Sequence, residues 1–290
     1  MITQIVIHLM PYEIDFFEWQ IKQLRQGSLY LDKEDEIIID VTLNLNLVNW
    51  NKSSIPSSFF ETKFKQIEEL CDWCETNFVI DKNNNCLGCD DKRRDSIRAS
   101  KSDNILYLDT DIIFKPELLK YIIDSSKQID NEYYIISPQV TRLWDNSWDI
   151  LVNNKHLNRP PSQQYKEICP FEIINTPIDE IYLKDVDDFK FGGGWFNLLS
   201  TNLLKLTDIP DSFGPYGVDD TYVMYCCNLL KHNKYNIKQY TLDGLLVAEN
   251  IKYGNNPYKD YLYLIDKKDE FRRKAEANLS IEIVNFKEKI

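Results

Sequence analysis

The sequence is poor in histidine, poor in positive charge and without any long apolar run. Its 290 residues include three histidines, and 34 lysines and arginines stand against 46 acidic residues, for a formal net charge of -12. Nucleic acids and anionic membranes are bound through a basic footprint, so this balance argues against both as partners. No stretch approaches the roughly 20 apolar residues of a membrane-spanning helix. A small anionic substrate stays open if a cation mediates its binding.

The first residues also lack the features of a secretory leader. No basic segment precedes the first apolar run, and Gln4 and His8 interrupt it. We therefore expect a core strand here rather than a signal peptide. Seven cysteines, an odd number, predict reduced thiols and a cytoplasmic location. The abundance of Asn, Ile, Lys and Asp is typical of an AT-rich genome, which favours a bacterium or a virus-infected host cell.

The chain does contain enough apolar material for one large core, since 43% of its residues are hydrophobic and 13% are aromatic. A chain of this length buries about 75% of its unfolded surface, so we expect a single domain over 1–290. Strand-like and helix-like segments alternate, which predicts an α/β fold with a Rossmann-like, mostly parallel central sheet flanked by helices. Predicted strands cover 4–9, 36–41, 77–81, 105–108, 189–200, 237–242 and 245–248. Predicted helices cover 14–24, 93–101, 118–127, 219–231 and 266–277.

Three local signals refine these bounds. Gly27 is predicted to lie just past the end of the first helix. Ser58 and Glu61 have the spacing of a capping box and predict the start of the second helix. Residues 141–185 show no clear period and are expected to form loops that determine specificity.

The sharpest chemical signal is the pair Asp109 and Asp111, which directly follows the apolar run 105–108. Residues at i and i+2 of an extended chain point to the same side, so both carboxylates can reach a common ion. Ligands of open α/β sheets bind at the carboxyl ends of the strands. A dication held there would bridge the phosphates of a nucleotide sugar. The alternative interpretation is a pair of solvated carboxylates at the end of a strand.

Three motifs in order resemble the glycosyltransferases of the GT-A fold. Asp109 and Asp111 are similar to their Asp-x-Asp motif, and 94–109 resembles the helix and strand that lead into it. Residues 191–200 are similar to their glycine-containing strand on the acceptor side. Asp219 and Asp220, which follow 213–218, are similar to the acidic pair that opens their acceptor helix. The resemblance covers 94–221.

The resemblance implies a metal-dependent hexosyltransferase that moves a sugar from a UDP- or GDP-sugar to a hydroxyl of a glycan-type acceptor. Asp109 and Asp111 would hold Mn²⁺ or Mg²⁺, and Glu249 would complete the site where family members more often have histidine. In an inverting enzyme Asp220 would be the general base, and Asp219 would contact the acceptor. The expected division is a nucleotide-binding half, a donor-sugar and acceptor half and a C-terminal helical tail, over 1–114, 115–254 and 255–290.

Further donor contacts are expected at strand ends and on one helix. His8 and Asp40 lie at the ends of the first two predicted strands, where nucleotide-contacting residues lie in this fold. Arg94, Arg98 and Lys101 share one helical face. Arg94 and Arg98 would suit a donor diphosphate, although a solvated helix surface explains the same pattern.

Two other motifs have a structural alternative. Gly193, in a run of three glycines, would let a sugar approach the backbone, and Trp195 would stack on its ring. A bulge in a core strand with a buried tryptophan explains both residues equally simply. Asp219 and Asp220 also suit the start of a helix, where they would cap free amides.

The cysteines allow two interpretations. Cys71, Cys74, Cys86 and Cys89 have the spacing of a four-thiolate structural zinc site. Cys71 and Cys74, however, continue the apolar stripe of the second helix, which favours buried free thiols.

Two other enzyme classes and one binding class remain open. A nucleotidyltransferase acting on sugar phosphates would use a similar dication, but a glycine-rich phosphate loop would be expected after the first strand. A haloacid-dehalogenase-like phosphatase also has an Asp-x-Asp after an apolar strand, but usually near the N-terminus. The third class is a non-enzymatic module stabilised by zinc. The sequence leaves donor, acceptor, stereochemistry and oligomeric state undetermined.

Overall fold

A computed structural model describes residues 1–142, 163–165, 181–186, 196–249, 257–258, 260–265 and 267–290. Ten strands are described: β1 (Ile2–Leu9), β2 (Glu36–Asn44), β3 (Glu75–Asp81), β4 (Asn104–Leu108), β5 (Ile112–Ile113), β6 (Tyr133–Arg142), β7 (Gln163–Tyr165), β8 (Tyr182–Asp185), β9 (Phe196–Ser200) and β10 (Ile237–Glu249). Seven α-helices are described: α1 (Ile14–Ser28), α2 (Ser57–Glu69), α3 (Cys89–Ala99), α4 (Leu118–Lys127), α5 (Thr201–Thr207), α6 (Asp219–His232) and α7 (Lys268–Lys289).

All ten strands belong to one sheet, in the order β3-β2-β1-β4-β9-β6-β10-β5, with β7 beside β6 and β8 beside β10. The strands β3, β2, β1 and β4 are mutually parallel, and β10 is parallel to β6. β9 is antiparallel to both of its neighbours, and β5 is antiparallel to β10. The predicted α/β fold with a mostly parallel sheet flanked by helices is therefore confirmed.

The two faces of the sheet carry separate apolar cores because side chains alternate along each strand. In β1, Ile5 and Ile7 pack with α1, α2 and α4 on one face, while Val6 packs with α3, α5 and α6 on the other. Ala275 and Phe286 of α7 join the second core. Helices on both faces leave the carboxyl edge of β1 and β4 accessible, which is where the candidate site lies.

Several predicted boundaries were wrong for identifiable reasons. Gly27 lies inside α1 rather than beyond it, and an added Cβ would be 2.4 Å from the carbonyl oxygen of Pro116, so close packing explains this glycine. The second helix begins at Ser57 after Pro56, without a side-chain cap, so the predicted capping box is absent. Glu61 instead accepts a hydrogen bond from Lys82 at 2.7 Å.

Other differences concern element lengths. α3 begins at Cys89, four residues earlier than predicted, and α7 continues to Lys289. The two late strands form the single strand β10, whose register shifts between Leu242 and Leu246. β7 and β8 lie within the stretch predicted to be loops. Among the described residues, no helix is both long and apolar enough to span a bilayer.

Candidate active site

A tight turn after β4 carries the two predicted metal ligands. β4 ends at Leu108, and the amide of Ile112 donates to the carbonyl oxygen of Asp109 at 3.2 Å. The side chain of Asp109 is 38% exposed, whereas Asp111 is 2% exposed. Asp109 and Asp111 therefore lie in a turn and not, as predicted, at alternate positions of an extended strand.

Gln20 of α1 holds this turn in place through two hydrogen bonds. Its Nε2 donates to the carbonyl oxygens of Asp109 at 2.8 Å and Ile112 at 2.9 Å, and the residue is fully buried. Gln20 was not among the residues predicted to belong to the site. A polar residue on the apolar stripe formed by Phe17, Ile21 and Leu24 was the available signal, because such a side chain is buried and needs hydrogen-bond partners.

Asp109 and Asp111 both line a cavity of about 470 Å³ at the carboxyl ends of β1 and β4. This volume lies within the usual range of about 300–1,000 Å³ for small-molecule sites. Besides the turn itself, the cavity is lined by His8, Met10, Tyr12, Glu13, Leu47, 87–89, Tyr216, Leu264, Ile265, Lys267, Lys268 and Phe271. Two carboxylates, the groups that hard cations prefer, thus lie at the wall of a pocket whose volume suits a small molecule.

Arg93 connects the turn to the start of α6. Its Nη2 donates to Asp109 Oδ1 at 3.1 Å and its Nη1 donates to Asp219 Oδ2 at 2.6 Å. The guanidinium also lies over the ring of Tyr107, 4.7 Å from its centroid. Arg94 and Arg98 were predicted as site residues and Arg93 was not, since nothing local in the sequence shows which face of α3 meets the sheet.

The acidic pair at the start of α6 divides into two environments. Asp219 is 4% exposed and its carboxylate binds Arg93, so the capping alternative does not describe it. Asp220 is half-buried, and its Oδ1 accepts hydrogen bonds from Thr221 N at 2.6 Å and Thr221 Oγ1 at 3.3 Å. The N-cap position is Val218, which offers no side-chain cap. Neither aspartate is among the described residues that line the cavity.

His8, at the end of β1, lies in the cavity wall. Its Nε2 is 3.4 Å from Asn44 Nδ2, an amide donor, which fits a neutral imidazole accepting at Nε2. Burial of the ring, with the positive charges of Arg93, Lys92 and Lys268, lowers the pKa of His8 from 6.5 to about 3. The imidazole is therefore neutral at physiological pH.

Solved structures share this architecture. S. aureus TarS 1-349 in complex with UDP-GlcNAc matches with a TM-score of 0.54 at 12% identity, over 98% of this chain and 67% of that one. Mycobacterium tuberculosis glucosyl-3-phosphoglycerate synthase in complex with Mn²⁺, UDP and glucosyl-3-phosphoglycerate matches with a TM-score of 0.50 at 13% identity, over 98% and 80%. The chain has the GT-A fold. It spans about two thirds of the TarS fragment. No family model and no curated protein matches the sequence.

Within the GT-A fold, the predicted nucleotide contact of Asp40 needs correction. β2 continues to Asn44, so Asp40 lies inside the strand rather than at its end. Its two carboxylate oxygens accept hydrogen bonds from four side chains, those of Gln4, Asn77, Lys92 and Ser96. Asp40 is 2% exposed, and its contacts join β1, β2, β3 and α3. Asp40 therefore links these four elements of the GT-A fold through hydrogen bonds.

Arg94 and Arg98 likewise bind protein groups rather than line the cavity. Arg94 is 5% exposed and donates to the carbonyl oxygens of Ile209, Pro210 and Gly214, each at 3.0 Å. Arg98 pairs with Asp208 at 2.8 Å and with Asp211 at 2.9 Å. This face of α3 holds the segment 208–214 in place, which differs from the predicted contact with a donor diphosphate.

Glu249 is the third predicted metal ligand, and the pairing of its backbone gives its position. β10 pairs with β5 so that Glu249 lies opposite Ile112, the residue after Asp111. The strand that carries Glu249 therefore runs beside the turn that carries the two aspartates. Gly193 and Trp195 lie outside the described residues.

Of the two interpretations of the cysteines, the structure does not support the zinc site. A structural zinc ion requires sulfurs that converge on one point at about 2.3 Å. In the described part of the chain, no group of three or more ligand atoms within 4.8 Å of one another contains a cysteine. Cys86 and Cys89 instead donate to Gly88 O and Asp90 Oδ1, at 3.6 Å and 3.4 Å. Cys71 and Cys74 donate to backbone carbonyls near the end of α2, as free thiols do.

Proposed function

We propose that this chain is a metal-dependent glycosyltransferase that transfers a sugar from a nucleotide-diphosphate sugar to an acceptor hydroxyl. The observation that carries the proposal is that Asp109 and Asp111 line one cavity at the carboxyl edge of the parallel strands of a GT-A fold. Ligands of open α/β sheets bind at this edge. The UDP-GlcNAc and UDP complexes of TarS and glucosyl-3-phosphoglycerate synthase support a nucleotide sugar as donor.

The residues of the turn fit a hard divalent cation. Mn²⁺ and Mg²⁺ prefer carboxylate oxygens, and Asp109 and Asp111 present two such groups at the cavity wall. The Mn²⁺ in the glucosyl-3-phosphoglycerate synthase complex is consistent with this choice. Glu249, beside the turn, is the candidate for a third ligand. When bound, the cation would neutralise charge on the departing diphosphate.

The remaining side chains of the site position these groups or act on the acceptor. Gln20 and Arg93 hold the turn and the Asp109 carboxylate in one orientation. Asp219 holds Arg93, so we assign it a positioning role in place of the predicted acceptor contact. Asp220 is the candidate general base: in an inverting reaction it takes the proton of the acceptor hydroxyl, and in a retaining reaction it positions substrate only.

A thermal-shift panel tests the metal and the nucleotide together. Wild-type protein is expected to gain stability from UDP or GDP in the presence of MnCl₂, by about 2.7 kcal/mol at 100 times the Kd, and to gain little without the metal. Asp111→Asn is expected to lose this gain. The control is Asp72→Asn, which removes an exposed carboxylate paired with Arg25, outside the cavity, and should respond as wild type does.

A stabilisation that ignores both Mn²⁺ and Asp111→Asn would contradict the proposal. Turnover is tested by release of UDP or GDP from a panel of nucleotide sugars.

Glu249→Gln is expected to raise the Mn²⁺ concentration needed for half-maximal stabilisation by nucleotide, because one oxygen ligand loses its charge. An unchanged Mn²⁺ requirement would remove Glu249 from the ligand set.

A further inference from the structure

The C-terminal helix α7 reaches the candidate donor cavity with its first turn. Lys267, Lys268 and Phe271 line the same cavity as Asp109 and Asp111, although they lie about 160 residues away along the chain. Among the lining residues that the structure describes, Lys267 and Lys268 are the lysines, and arginine does not occur. The expected helical tail is thus a wall of the site.

Lys268 has a defined position at this wall. Its Nζ lies 4.5 Å from the ring centroid of Tyr216, which also lines the cavity. A cation over an aromatic face is attracted by the ring quadrupole, which favours one side-chain direction over many. The ammonium group is therefore directed along the cavity wall in a protein whose net charge is -12.

The rest of α7 is anchored firmly enough to hold this position. Ala275 is fully buried and Phe286 is 5% exposed against the core around α6. Asn278 Nδ2 donates to the carbonyl oxygen of Ser212 at 2.8 Å. A Cβ on Gly217 would be 2.4 Å from the Cβ of Ala275, so the helix contacts the backbone of the 214–217 segment directly.

The negative charges of the cavity favour a positively charged side chain at its wall. Asp109, Asp111 and Glu13 are carboxylates at its wall, and a nucleoside diphosphate adds negative charge to theirs. One divalent cation would leave the site with excess negative charge. A lysine in the wall of the same cavity would supply a charge-assisted hydrogen bond to a phosphate oxygen.

We propose that Lys268 binds the diphosphate of the nucleotide donor, so that the first turn of α7 completes the donor site. This inference rests on the proposed function. Lys268 is a binding residue that complements the candidate metal ligands of the same cavity, and Lys267 adds to the positive potential beside it.

Isothermal titration with UDP and with GDP, each in MnCl₂, tests the assignment. Lys268→Gln is expected to raise the Kd of the nucleotide that binds by about tenfold, the loss of one charge-assisted hydrogen bond. Lys268→Arg should keep most of the affinity because it keeps the charge. The matched control is Lys274→Gln, an exposed lysine of the same helix that is not among the lining residues. The Tm without nucleotide should be unchanged in all three variants, since both lysines are exposed.

The outcomes separate this inference from the proposed function. If wild type binds UDP or GDP and Lys268→Gln binds it with the same Kd, the assignment of Lys268 is overturned while the donor site stands. An equal loss of affinity in Lys274→Gln would also overturn it, because a general charge effect would then explain the result. If wild type binds neither nucleotide, both proposals fail.

Discussion

Gln20 donates a hydrogen bond to the backbone of Asp109 across 2.8 Å, from the middle of α1 to the turn that carries the candidate metal ligands. The same Nε2 donates to Ile112 at 2.9 Å, so one buried amide closes the turn from both ends. Ligand geometry at a metal depends on groups of this kind behind the ligands. The scaffold on one face of the sheet is thereby linked to the site at its edge.

Gln20→Met is expected to weaken both the fold and the site. Two buried carbonyl oxygens lose their donor, which costs about 2 kcal/mol in the free energy of unfolding. The Mn²⁺ concentration for half-maximal stabilisation by nucleotide should rise about tenfold, as for other groups behind metal ligands. Thermal-shift titrations measure both quantities.

The matched control is Tyr134→Phe, which removes a buried hydrogen bond to Asn104 away from the turn. It should lower the stability without changing the Mn²⁺ requirement. Equal Mn²⁺ requirements in both variants would show that Gln20 serves stability alone.

Arg93→Met is expected to be strongly destabilising. The substitution leaves the buried carboxylate of Asp219 without its guanidinium, and breaking one partner of a buried pair costs about 3 kcal/mol or more. Asp219→Asn in the same chain should recover part of this loss, since the unpaired charge is then removed. Urea unfolding of the two single variants and the double variant gives the coupling energy.

Arg98→Met on the same helix is the control for Arg93. Its pair with Asp208 is 43% and 39% exposed, so the loss should stay below about 1 kcal/mol. Additive losses in Arg93→Met and Asp219→Asn would contradict a shared ion pair.

The local features of the fold were predictable from the sequence. The apolar run before Asp109 located β4 and the acidic pair that follows it, because a short apolar run that stops at two carboxylates is typical of a buried strand ending at the edge of a sheet. The amphipathic spacing of Ile14, Phe17 and Ile21 located α1 in the same way. Both signals depend on residues close together in the chain.

Contacts between distant segments were not predictable. Arg93 and Arg94 are neighbours on α3, yet one faces the turn and the other the segment 208–214, and only the packing of α3 on the sheet decides which. The spacing of the cysteines suggested a zinc site. A spacing in the sequence, however, does not show whether the end of α2 and the start of α3 bring the four thiols together. Lys268 lies at the cavity only because the chain folds back to bring α7 there, and no local pattern in the sequence predicts this.

The depressed pKa of His8 predicts a loss of stability in mild acid. The unfolded chain binds a proton at His8 below pH 6.5, while the folded state stays neutral down to about pH 3. Stability from the neutral imidazole is therefore present above pH 6.5 and is lost as the pH falls through this window. The slope is up to about 1.4 kcal/mol per pH unit, the value for one proton bound on unfolding.

His8→Gln tests this origin of the pH dependence, because glutamine keeps a polar side chain and does not titrate. Urea unfolding at about pH 7, about pH 6 and about pH 5 should give a shallower decline for the variant than for wild type. Parallel declines in the two proteins would assign the acid sensitivity to other groups.

Gly217→Ala is expected to displace α7, because the added methyl group would lie 2.4 Å from the Cβ of Ala275. Overpacking of this kind costs about 1–3 kcal/mol. The shift moves the first turn of α7, so nucleotide affinity should fall together with stability. Ala275→Gly alone costs about 1 kcal/mol of helix propensity, but in the Gly217→Ala background it removes the clash. The double variant should therefore be more stable than the sum of the two single losses predicts, and its nucleotide affinity should be restored. Strictly additive losses would show that α7 does not contact the 214–217 segment as closely as the structure indicates.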